Sequence, residues 1–146
     1  MTDQSVRTRT IDWPGAAKAV QAAVAMAKKL NVLVNVAVVD RSGVLAAFLR
    51  MPGAPLHSVE ISIDKAYTSA SFGLPTSQWD AILSEHSAMV KEGLLLRPRF
   101  VAFGGGVPIY EEGFILGGIG VSGASEQQDE QCARAGLIAI GLDSHH

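Results

Sequence analysis

The sequence has one cysteine, Cys132, which leaves no partner for an internal disulfide and no CxxC pair for a metal. No metal site is expected. No apolar run approaches the ~20 residues needed to span a bilayer, so no membrane partner is expected. The first ten residues are polar and lack the apolar stretch of a secretory signal, which makes a cytoplasmic location the expectation. Charge is sparse and balanced: 12 basic against 14 acidic residues, a net of −2. With no basic cluster and no aromatic residues interleaved among basic ones, nucleic acid is not an expected partner.

Apolar residues and glycine are abundant instead, at 48% hydrophobic with 15 glycines among 146 residues. That length suits one domain spanning 1–146, with a core from about 14 to 141. So much apolar surface also suits burial in subunit contacts. Cys132, inside an apolar helical stretch, reads as a small buried residue.

Residues 118–123 spell G-x-G-x-x-G between an apolar run and an amphipathic one. That is the dinucleotide fingerprint by letter. The dinucleotide fold needs a further parallel strand carrying an acidic residue about 20 positions on. Asp143 has nearly that offset, yet no strand precedes it. The glycines are therefore read as close-packing positions where a strand passes under a helix.

Periodicity predicts a helix over 14–30, opened by Pro14, with Ala16, Val20, Ala23, Ala27 and Leu30 on its apolar face. Two apolar strands follow, 33–39 and 44–49, joined by a link in which Asp40 bonds its own downstream backbone and Gly43 takes a positive φ. Both runs read as covered on both faces. A helix over 58–72 is expected to bury Val59, Ile63, Ala66, Tyr67 and Ala70. Thr76 or Ser77 then caps a short helix that places Trp79, Ile82, Leu83 and His86 on one face. Strands at 98–103, 107–110 and 114–121 come next, the last two a hairpin turning at Gly113, and a helix over 125–140 closes the order. The pattern α-β-β-α-α-β-β-β-α is α+β with an antiparallel sheet.

Val36-Ala-Val-Val-Asp-Arg-Ser-Gly43, Leu49-Arg-Met-Pro-Gly-Ala54, Lys65-Ala-Tyr-Thr-Ser-Ala70, Gly105-Gly-Val-Pro-Ile109 and Gly118-Ile-Gly-Val-Ser-Gly-Ala124, with Gln128-Asp129 after them, resemble the GlcG/HbpS haem-binding group. That group includes the C-terminal domain of PduO-type corrinoid adenosyltransferases. The resemblance runs from about 15 to 141 and implies a profilin-like three-layer α/β/α sandwich with a five-stranded antiparallel sheet. It further implies homo-oligomerisation and binding of haem or another small ligand, in some members beside hydroxy-acid or aromatic catabolism. Pro52 stands where the family often has Asp.

The candidate ligand-binding residues are Arg50, His57, Glu60, Lys65, Gly105, Gly106 and Asp129. Guanidinium, imidazole and ammonium groups converging at a sheet edge would hold a carboxylate or haem propionate. His57 and Lys65 are expected to share one helix face, with His57 as a proton shuttle or iron ligand. The glycine run before Val107 and the start of the last helix both offer backbone N–H groups to an anion. Arg50 and Lys65 are weighed equally as ion-pair partners of Asp40 or Asp129. Two functions follow: a small-molecule-binding accessory protein, with haem as the candidate cofactor, or a small isomerase or hydrolase using Lys65 or His57 as base and Arg50 as anchor. His145 and His146 are assigned no role.

Overall fold

The Asp12 carboxylate accepts a hydrogen bond from the backbone N–H of Trp13 at 2.8 Å, and with Pro14 in the first turn it starts helix α1, Trp13–Lys29. A computed structural model describes residues 4–143. After α1 come β1 (Asn35–Asp40), β2 (Leu45–Arg50), α2 (His57–Phe72), a 3₁₀ turn (Thr76–Gln78), α3 (Trp79–Ser84), α4 (Ala88–Leu95), β3 (Gly106–Glu111), β4 (Phe114–Ser122) and α5 (Glu126–Ala139). His145 and His146 lie outside the described residues. No helix among the described residues is long and apolar enough to cross a membrane.

The turns form as their local chemistry requires. Asp40 Oδ1 accepts from the N–H groups of Ser42 (2.8 Å) and Val44 (3.1 Å), and Gly43 takes φ 84°. In the second hairpin Glu112 and Gly113 both adopt positive φ, 53° and 82°. Ser125 and Gln128 form a reciprocal capping box that starts α5.

The sheet is antiparallel with order β2-β1-β4-β3, so it has four strands and not five. The expected strand at 98–103 is turn and coil, and Arg99 within it has φ 68°, which interrupts an extended chain. α4 was not expected. It starts at Ser87, whose hydroxyl accepts from Val90 N–H, and buries none of its residues. Nor does Thr76 or Ser77 cap α3. Thr76 accepts from Gly106 N–H at 2.8 Å and Ser77 donates to Glu130 at 2.6 Å. His86 is exposed beyond the end of α3.

Two apolar clusters lie on opposite faces of β1. Val36 and Val38 join Ile109, Ile119 and Val121 under α1 and α5, whereas Ala37 and Val39 meet Ala66 and Ala70 of α2. Each fully buried Val or Ile contributes about 1.5–3 kcal/mol. Cys132 is buried on the α5 side as expected. β2, read from its letters as covered on both faces, is an edge strand with Leu45 and Leu49 exposed. Its outer side has no neighbouring strand, so apolar composition alone did not bury it.

The expected apolar face of α2 is also corrected. Its buried residues are Ser58, Ser62, Lys65, Ala66, Thr68, Ser69 and Ala70, while Val59, Ile63 and Tyr67 are only half-buried. The reason lies across the interface in β4. A Cβ on Gly120 would strike the Ser62 carbonyl oxygen, and one on Gly118 the Ala66 carbonyl oxygen. The helix backbone rests directly on the strand, and only small residues fit between them. Gly118 and Gly120 therefore lie within a strand, where the dinucleotide fingerprint requires a phosphate-binding turn.

Candidate functional site

Lys65 leaves the buried face of α2 and crosses to the start of α5. Its Nζ donates to the Val121 carbonyl at 2.9 Å and to Asp129 Oδ2 at 3.1 Å. The remaining side faces the Phe103 ring, whose centre is 5.0 Å away. Asp129 Oδ1 accepts from Ala124 N–H at 3.0 Å, so the carboxylate joins α2 to the turn before α5. Both side chains are almost wholly enclosed, 1% and 3% exposed.

Burial drives the two groups in opposite directions. It pushes Lys65 below the usual lysine range, opposed by the Asp129 carboxylate and then by Glu126. It pushes Asp129 above the usual carboxylate range, opposed by Lys65 and the backbone N–H groups of Ala124 and Gly123. The pair is a tie between elements whose donors and acceptors are committed to each other.

The glycine run is equally committed. Gly104 N–H donates to Glu126 at 2.7 Å and Gly106 N–H to Thr76 at 2.8 Å. These amides face protein acceptors, so the expected anion cradle is filled from within. Gly105 takes φ 132°, and a Cβ there would meet the Val121 carbonyl, Lys65 Nζ and Asp129. Its smallness leaves room for the ion pair.

The other predicted residues stand apart. Arg50 donates to Asn35 Oδ1 at 3.1 Å and to the Ala54 carbonyl at 2.7 Å, and Asn35 Nδ2 holds the Pro55 carbonyl at 3.2 Å. Arg50 thus fastens the loop between β2 and α2 and pairs with neither Asp40 nor Asp129. His57 and Glu60 are exposed in the first turn of α2. Eight helical positions separate His57 from Lys65, about 80° of rotation beyond two full turns, which carries Lys65 inward and leaves His57 outside. The structure brings together Lys65, Asp129 and Gly105, with Gly106 beside them, and separately Arg50 with the loop that leads to His57.

Sequence reasoning missed a second place, a hollow at the other end of α2 edged by Arg97 and Arg99. The signal was two arginines flanking Pro98 ahead of Phe100, hidden because the stretch was read as strand.

An α+β fold with one antiparallel sheet, a helix laid on glycines and a buried Lys–Asp tie defines the class of this protein. The chain belongs to the HbpS-like family, described as haem degrading protein HbpS-like, which it matches over residues 11–138. It is 34% identical over 125 residues to corrinoid adenosyltransferase PduO of Citrobacter freundii, covering 86% of this chain but 37% of that one. The chain thus spans just over a third of the PduO relatives it matches. It is 33% identical to an uncharacterised 15.0 kDa protein of Citrobacter freundii, covering 92% and 95% of the two chains. Among solved structures, a PduOC:heme complex superposes with TM-score 0.85 at 31% identity, covering 94% of this chain and 99% of that one. A double mutant of Streptomyces reticuli HbpS gives TM-score 0.86 at 35% identity, covering 97% and 94%.

Proposed function

We propose that this protein is a small-molecule-binding accessory protein whose ligand is haem, held at its surface around His57. The observation that carries the reading is the His57 imidazole, exposed and without a side-chain hydrogen bond, in a chain similar throughout to a protein captured with heme. Leu56 beside it is 77% exposed, an apolar platform at the same corner. Arg50, whose two bonds hold the adjoining loop, keeps further N–H groups for a propionate.

Bound haem would supply an iron centre for redox or oxygen chemistry. His57 would donate an imidazole nitrogen and Arg50 would orient a carboxylate. Lys65 is given no part as a base, since its ammonium is enclosed and tied to Asp129.

The same reading takes the arrangement as profilin-like, which helices on both sheet faces support. It includes self-association through the exposed β2 edge, a cytoplasmic location and service to a catabolic pathway. Titration with haemin, followed at the Soret band, tests the central claim. A saturable shift that is lost in His57→Ala is expected. Absence of saturation, or an identical titration in His57→Ala, sinks histidine-held haem.

A further inference from the structure

At the C-terminal end of α2, α4 and the coil after it border a half-open hollow of about 170 Å³. Its walls include Tyr67, Phe72, Leu94 and Phe100, and Arg97 and Arg99 lie at its edge. The volume is close to the roughly 150 Å³ of an apolar cavity that accepts benzene. It therefore has room for one six-membered ring or a branched aliphatic group.

The two arginines differ in what they already hold. Arg99 Nε donates to Asp64 at 3.0 Å, and its guanidinium stacks over the Tyr67 ring, 3.6 Å from the ring centre. Its backbone is in the left-handed region, φ 68°, rare for a long side chain. Thr68 sustains that conformation, donating to the Arg99 carbonyl at 2.9 Å and accepting from Val101 N–H at 3.1 Å. Arg97 makes no side-chain hydrogen bond or ion pair among the described residues, so Asp64 balances Arg99 and no carboxylate balances Arg97.

We infer that this hollow is a second binding site, specific for a small monocarboxylate with a compact apolar body, either monocyclic aromatic or branched aliphatic. The ring or branch fills the aromatic pocket and the carboxylate meets Arg97, assisted by the donors of Arg99 not used by Asp64. The site lies ~22 Å along α2 from His57, so it and the haem reading stand or fall separately.

Trp79 provides the readout, because its ring meets Phe72 and Phe100 edge-on, at 4.8 and 5.0 Å between centres. Trp13→Phe removes the only other tryptophan, which is 74% exposed. In that background, benzoate and cyclohexanecarboxylate should each give a saturable change in Trp79 emission. Benzamide, isosteric but neutral, should bind at least roughly tenfold more weakly. Arg97→Gln, at an exposed and unpaired position, should leave circular dichroism unchanged and weaken benzoate at least roughly tenfold, with Arg97→Lys intermediate. No saturation, equal binding of benzamide, or undiminished binding by Arg97→Gln overturns the proposal. A response abolished by self-association overturns it too, by making the hollow an interface between copies.

Discussion

The two faces of the central strands are packed in opposite ways. Toward α1 and α5, Val36 pairs with Val121 and Val38 with Ile119, and these large side chains interdigitate with the helices. Toward α2, the alternate residues pair Ala37 with Gly120 and Val39 with Gly118. There the helix backbone lies on the strand, with serines, a threonine and the Lys65–Asp129 tie buried alongside. The difference teaches where polar chemistry can enter a core. Close backbone approach brings carbonyls and N–H groups within reach of a buried side chain, as Val121 is for Lys65. A face filled by branched aliphatics leaves no such partners, and a charge there would be stranded.

The sharpest way to break this contrast is to remove one half of the tie. Asp129→Ala should cost about 3–5 kcal/mol in urea unfolding, because it strands a buried ammonium and releases Ala124 N–H. Since the carboxylate is the main influence raising Lys65 against burial, the lysine should then fall still further below its ordinary range. A loss under about 1 kcal/mol would show that the α2 face does not depend on its ion pair.

Next in size is a comparison of neighbours on β4. Gly120→Ala drives a methyl into the backbone of α2 at Ser62 and should cost roughly 3 kcal/mol, whereas Ile119→Val on the opposite face should cost about 1 kcal/mol. Equal losses in calorimetry would mean that the faces are packed alike.

The smallest effect belongs to the aliphatic face. Burial, with the Asp129 charge secondary, pushes the Cys132 thiol up to about 11 from 9.0. Between those values the unfolded chain releases a proton that the native state keeps, so stability falls as pH rises through the window. At about pH 10 the loss should be about 1 kcal/mol relative to neutral pH, and missing from Cys132→Ala. Stability that rises over that range in the wild type relative to the variant would contradict the assigned burial.

Most elements with local causes are legible in the amino-acid sequence, the starts of α3 and α4 being the exceptions. Asp40 and Gly43, Gly113, Pro14 and the Ser125 start of α5 act within a few residues of themselves, and each is found where its chemistry placed it. Elements defined by distant partners are not. β2 has the letters of a covered strand but lies at an edge, and 98–103 has the letters of a strand but pairs with nothing. The candidate site divides on the same principle. Lys65 and Asp129 both stand out as chemistry-bearing residues, yet their union across 64 positions is a property of packing. His57 is separated from them by helix rotation, and Arg50, at the end of β2, is taken up by Asn35 and the Ala54 carbonyl.

By itself, the sequence determined the family, the α+β class, the hairpins and the starts of α1 and α5, because those follow from short-range sterics, capping and a set of motifs in order. Tertiary structure decided what the glycines are for. Whether Gly118 and Gly120 turn a chain around a phosphate or lie flat beneath a helix depends on what crosses them. That is α2, whose backbone comes too close for any side chain between. The same close approach turned α2 so that Lys65 points inward to Asp129 and left its far end open beside Arg97.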